Sequence, residues 1–156
     1  MLSPEGEALM YRLMTTLNKA ARDVMVQHAV HACTDVTGFG LLGHAYEMAT
    51  GSDVTITLAV EAIDLIPEAL ELARMGFLPA GMYRNRTFAE MGVDAGETEL
   101  AKQDLLYDPQ TAGGLLIAVA AADADALYAA LQGKVPSAQR IGTVEAYQGG
   151  KRIILR

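Results

Sequence analysis

Apolar residues recur at helical spacing through the N-terminal part of the chain, at Leu9, Met10, Leu13, Met14 and Leu17, and again at Ala20, Ala21, Val24, Met25 and Ala29. This predicts helix from residue 4 to about 30, with Pro4 at a tolerated first-turn position, Asn18 dividing the run, and the leucines and methionines as core. A further helix is expected over 41–50, closed by Gly51, with Leu42, Ala45, Tyr46 and Ala49 as its buried stripe. Residues 53–60 alternate β-branched with other residues, the period of a strand. Pro67 opens a helix over 68–74 that Gly76 stops. Pro79, Gly81 and Asn85 predict a loop over 77–88, followed by a short helix over 97–105 and a turn at Asp108-Pro109. Gly113-Gly114 leads into an apolar strand over 115–120, and an alanine-rich helix follows over 121–132. The segments 141–146 and 152–155 are expected to pair as a closing hairpin. The order helix, helix, strand, helix, helix, strand, helix, strand, strand predicts an α+β sandwich, a mixed and largely antiparallel sheet packed with helices, rather than repeated βαβ units.

Composition narrows this to a single globular domain spanning 1–156. The 156 residues are 51% hydrophobic and 20% charged, enough apolar material for a core and too much for a disordered chain. A net charge of −7 with scattered basic residues argues against a nucleic-acid surface, and the basic pair Arg84 and Arg86, flanking Asn85, reads as a solvated loop. One cysteine, Cys33, makes neither an internal disulfide nor a zinc site, and is expected to be a small buried residue. His28 and His31 lie three apart, with no third ligand evident. The first residues lack a basic region and an apolar core, so they do not read as a signal peptide, and no apolar run approaches the ~20 residues that span a bilayer. A cytoplasmic protein with no membrane partner is the expectation.

The stretch with chemistry in it is Ala32-Cys33-Thr34-Asp35-Val36-Thr37-Gly38-Phe39-Gly40-Leu41-Leu42-Gly43-His44. A carboxylate and two hydroxyls sit beside three glycines that run into a helix. Glycine lets backbone approach a ligand closely, a helix N-terminus offers free N–H groups to an anion, and Asp35 is an oxygen ligand of the kind Mg²⁺ takes together with phosphate oxygens. The residues therefore predict a metal-phosphate corner. Two other readings fit the same letters. Thr-Asp before a helix is an ordinary N-cap with turn glycines. Gly38 to Gly43 also matches G-x-G-x-x-G, with a strand-like run at 54–58 and Glu61 near the spacing of a ribose-binding acid, which would make a dinucleotide-binding module. Against that module stand Thr34, Asp35 and Thr37, where a buried apolar strand should lead into the first glycine. His44, inside the helix, reads as a packed or capping side chain.

Three blocks carry a family resemblance. HACTDVTGFGLLGHAYEM at 31–48, PAGMYRNRTF at 79–88 and DPQTAGGLL at 108–116 resemble, in order and spacing, the signatures of the C-terminal domain of the selenophosphate synthetase (selenide, water dikinase) family. That domain is similar in fold to the C-terminal domains of the aminoimidazole ribonucleotide synthetase-like superfamily. The resemblance implies a parent enzyme that converts ATP, selenide and water to selenophosphate, AMP and orthophosphate with Mg²⁺, as a homodimer built largely through an N-terminal half that is not in this chain. That half would supply most metal carboxylates, a lysine and the reactive cysteine or selenocysteine. Here Asp35 would be a metal ligand, and Thr34, Thr37, Gly38, Gly40, Asn85 and Thr111 would shape the phosphate and nucleotide side. The chain departs from the family at Ala80, where a second glycine is common, and at Ala112, where serine is usual and no hydroxyl remains. A sister ATP-dependent enzyme of the same fold is the other reading that the resemblance allows.

Overall fold

A computed structural model of the chain describes residues 2–156. Seven α-helices and six strands are present among the described residues, as the α+β expectation requires. Helix α1 (Pro4–Thr15) starts where Ser3 Oγ accepts from the Gly6 N–H at 3.1 Å, with Glu5 and Glu7 in the first turn and Arg12 in the last. It is followed by α2 (Lys19–Met25), strand β1 (Val30–Asp35), α3 (Gly40–Gly51), β2 (Val54–Leu58), α4 (Ala69–Arg74), α5 (Ala80–Ala89), β3 (Val93–Asp94), α6 (Leu100–Leu106), β4 (Leu115–Val119), α7 (Ala124–Leu131), β5 (Gly142–Ala146) and β6 (Ile153–Leu155).

The strands fall into two sheets. One is an antiparallel ribbon of β1 and β4, and the other has the order β3-β6-β2-β5. In the larger sheet β6 runs parallel to both β3 and β2, while β5 lies antiparallel on the far edge of β2. Helix α3 packs against β1 from one sheet and β2 and β6 from the other, so it joins the layers. Its apolar stripe, Leu42, Ala45 and Ala49, is fully buried, and Leu58, Met82, Leu106, Ile153 and Leu155 complete the centre of the core.

Four expectations change. Strand β1 stands where the helical run was expected to end, because Val30 to Asp35 finds a partner in β4 and alternates half-buried and exposed positions. The segment 77–88 is mostly helix: Pro79 sits at the N-cap, and Met82, Asn85 and Ala89 share one buried face, so burial outweighs local turn chemistry. The closing hairpin does not form, since β2 lies between β5 and β6 and pairs with both. Finally, the apolar face of α1 is not core. Gly6 is its one buried residue, while Leu9, Met10 and Leu13 are half-buried, Met14 is exposed, and none of the four belongs to the core cluster. Val24 of α2, by contrast, is buried as expected.

Candidate functional site: a corner made of three segments

Strand β1 ends at Asp35, opposite Leu115 of β4, and the two chains stay paired beyond the ribbon. The Val36 N–H donates to the Gly114 carbonyl at 2.9 Å, and the Gly113 N–H donates to the Val36 carbonyl at 2.8 Å. The Thr37 carbonyl accepts twice, from Gln110 N–H at 2.9 Å and from Gly40 N–H at 3.0 Å. Three backbone bonds thus zip the loop that follows β1 to the loop that precedes β4, and the fourth, from Gly40 to Thr37, tightens the first loop on itself.

The third segment closes the corner. Asn85, 6% exposed on the inner face of α5, donates from Nδ2 to the Gly38 carbonyl at 2.8 Å and to the Tyr107 carbonyl at 2.9 Å. One amide group therefore ties α5 to both loops. Two glycines allow the approach. Gly40 has φ +71°, and a Cβ there would lie 2.7 Å from the Tyr107 carbonyl carbon; a Cβ on Gly81 would lie 2.9 Å from the Pro109 ring. Ala80 is exposed, so the methyl that distinguishes it from the family's glycine meets no crowding. Next to Asn85, the Arg86 guanidinium pairs with the buried Asp104 carboxylate of α6 and lies 5.7 Å from the Tyr107 ring centroid, so it is not the solvated residue expected of a loop.

This closure leaves particular groups at the surface. Asp35 is exposed, and no hydrogen bond or ion pair among the described residues engages its carboxylate. Thr111 is exposed, and Thr34 is half-buried with its hydroxyl on the Asp35 carbonyl at 3.2 Å. The Thr37 hydroxyl meets His44 Nε2 at 3.2 Å while His44 Nδ1 faces Glu47 at 3.3 Å, so His44 is packed, as expected, and holds a corner residue. The N-cap reading of Thr-Asp fails. Position Phe39 occupies the N-cap of α3 and no side chain caps that helix end, where the Gly40 N–H is taken by the Thr37 carbonyl. The dinucleotide reading fails on topology, because β1 and β2 belong to different sheets and form no parallel βαβ unit, and Glu61 pairs with Lys102 at 2.7 Å.

Cys33 departs from expectation, since it lies on the outer, uncovered face of β1. Partial burial, with the charge of Asp35 beside it, pushes its thiol up, which opposes a thiolate role. Burial raises the Tyr107 hydroxyl to about 12 and lifts the Asp108 carboxyl above its usual range. Among the described residues no three His, Cys, Asp or Glu side chains gather as a metal cage. Asp35 fits Mg²⁺ as one unencumbered oxygen ligand, with the remaining positions open to phosphate oxygens, water or carboxylates from elsewhere.

Sequence reasoning selected Asp35, Thr34, Thr37, Gly38, Gly40 and Thr111, and all lie in or on this corner. It missed that Asn85 acts as a clamp whose donors are taken by backbone, and that Tyr107 belongs to the assembly. The signal was an asparagine in register with Met82 and Ala89 on one helical face.

Comparison with known proteins places these blocks in context. The family model for the AIR synthase related protein, C-terminal domain, matches residues 2–154. A selenide, water dikinase of Treponema denticola is 47% identical over 128 residues, which is 82% of this chain and 36% of that protein. One from Pelobacter propionicus is 51% identical over 122 residues, 78% of the chain and 35% of the relative. One from Clostridium botulinum (Eklund 17B) is 41% identical over 145 residues, 92% of the chain and 42% of the relative. The chain therefore spans well under half the length of these curated relatives.

Asn85→Ala removes both clamp donors and leaves two carbonyls unpaired, and is expected to destabilise the chain by about 1–3 kcal/mol in urea denaturation; a loss below about 0.5 kcal/mol contradicts the clamp. For Asp108 the raised carboxyl means that the folded state binds its proton more tightly than the unfolded state. The resulting penalty is absent below the unfolded pKa and develops as pH rises through the folded one. Asp108→Asn is expected to raise Tm at about pH 7 and to lose that gain on acidification toward about pH 3; a gain that grows in acid contradicts the assignment.

Proposed function

The chain belongs to the AIR synthase related C-terminal domain family, and from that membership we propose that it is the C-terminal domain of a selenide, water dikinase. The parent reaction would take ATP, selenide and water to selenophosphate, AMP and orthophosphate. One observation carries the reading. The three sequence blocks that resemble this enzyme family converge on a single corner, where Asn85 bonds Gly38 and Tyr107 and leaves Asp35 free at the rim.

Each residue then has a task. Asp35 would hold Mg²⁺, which when bound neutralises phosphate charge and orients the chain of phosphates for attack. The uncapped start of α3, with Gly38 and Gly40 beside it, offers backbone N–H groups to phosphate oxygens. Thr34 and Thr37 line the near side, with Thr37 oriented by His44. Thr111 reaches the same rim from the second loop, alone where the family has a second hydroxyl. Asn85 fixes the position of Gly38 and so acts on the nucleotide side through backbone. Catalysis would come from alignment and charge stabilisation, with no nucleophile in this chain.

One carboxylate does not hold a metal-triphosphate complex, so the site is a half-site, and the N-terminal half of the parent, acting as a homodimer in the cytoplasm, would bring the rest. Among the described residues no helix is long and apolar enough to cross a membrane. Phosphorus NMR of Mg-ATP with the intact parent is expected to give AMP, orthophosphate and a selenophosphate resonance only when selenide is present. The chain alone is expected to give none. Asp35→Asn in the parent is expected to abolish AMP formation while its thermal melt stays unchanged. Normal turnover by that variant would remove Asp35 from the site, and ADP in place of AMP would overturn the dikinase reading.

A further inference from the structure

The three hydroxyls of the corner are not held alike. Thr34 donates to the neighbouring Asp35 carbonyl, and Thr111 has no side-chain partner among the described residues. Thr37 is gripped by another side chain, His44 of α3, whose Nε2 lies 3.2 Å from the Thr37 oxygen. On the other side of the ring Glu47, one turn along α3, brings Oε2 to 3.3 Å from His44 Nδ1. No other hydrogen bond or ion pair engages the His44 side chain among the described residues. The ring is also packed in place. The His44 side chain is 12% exposed, and the Phe39 ring lies 5.5 Å from it, itself stacked on Phe88 of α5.

Bond directions follow from this series of contacts. A neutral imidazole has one N–H donor and one acceptor nitrogen, and an ionised carboxylate only accepts. The proton therefore belongs on Nδ1, because a lone pair there would face the negative charge of Glu47. Nε2 is left as an acceptor, so the Thr37 hydroxyl turns its own proton toward the ring. Both lone pairs of the Thr37 oxygen then remain for a cation or for a donor such as water. A phosphate oxygen, itself an acceptor, gains nothing from a hydroxyl set this way. The main chain of Thr37 is fixed as well, since its carbonyl accepts from Gln110 and Gly40, and it stands two residues beyond Asp35 on the same loop.

We propose that Glu47 and His44 are positioning residues that set the Thr37 hydroxyl as an electron-pair donor toward Mg²⁺ or the water Mg²⁺ carries, an inference that rests on reading Asp35 as a metal ligand. Long-range proton–nitrogen NMR of the chain at about pH 9, where imidazole is neutral, reads the tautomer directly. In the variant His28→Gln, His31→Gln, His44 is the one imidazole left. It is expected in the Nδ1–H form, the less favoured one for histidine in water, and Glu47→Ala is expected to return it to the Nε2–H form. An Nε2–H form with Glu47 present, or an unchanged Nδ1–H form without it, overturns the proposal.

Mn²⁺ binding to the intact parent with a non-hydrolysable ATP analogue, followed by electron paramagnetic resonance, reads the consequence. Glu47→Ala and Thr37→Val are each expected to weaken it about tenfold, and Thr37→Ser to restore it. The double variant Glu47→Ala, Thr37→Val is expected to bind no more weakly than Thr37→Val, since Glu47 acts through Thr37; additive losses overturn the proposal. Asp35→Asn separates the two claims. Mn²⁺ binding that falls in Asp35→Asn but ignores Glu47→Ala and Thr37→Val defeats the positioning role and leaves the metal reading intact. Mn²⁺ binding indifferent to Asp35→Asn defeats the metal reading, and the proposal with it.

Discussion

Two hydrogen bonds from one buried amide hold the functional end of this domain together. Asn85 has two donors on one nitrogen, and the fold presents two carbonyls to it, from Gly38 and from Tyr107. Each loop contains glycines that loosen a free chain. Held by Asn85 and zipped by three backbone bonds, the loops form one body, and the glycines serve close approach. The requirement is steep in one direction: an unfilled carbonyl in that environment costs more than the bond gains.

The same constraint explains which residues are structural and which are free to act. Asn85, Arg86 and Tyr107 face inward and are engaged by backbone, by Asp104 or by burial. Asp35 and Thr111 are exposed, and their side chains find no partner among the described residues, a poor arrangement for stability and a suitable one for ligands. Phe39 and Phe88, stacked at 5.4 Å over the outside of the corner, show how the N-cap of α3 is packed by an aromatic without consuming the helix donors. Stability is concentrated beneath the site, and chemistry is left at its rim.

Much of this was legible from residue order. The stripe Leu42, Ala45, Ala49 predicted α3 and its burial, and the β-branched alternation predicted β2. What escaped has physical reasons. Pro79, Gly81 and Asn85 are turn formers locally, and only the contacts of Met82 and Ala89 with the core turn the segment into helix. Val30 to Asp35 carries polar residues because one face of its ribbon is uncovered, which hides a strand from a search for continuous apolar runs. The pairing of β5 and β6 with β2 is a choice between distant partners that a short turn signal does not decide. Helix α1 looked like core because its face is apolar, but periodicity does not tell a half-buried face from a buried one, and Leu9, Met10 and Leu13 are only half-buried.

The central claim is that the loop after β1 and the loop before β4 form one cooperative unit. Native-state hydrogen exchange of the unmodified chain tests it most directly, through the amides of Val36, Gly40, Gln110 and Gly113. A shared unit predicts that all four open with the same free energy and the same dependence on denaturant. Two classes, with Val36 and Gly40 opening independently of Gln110 and Gly113, would contradict it.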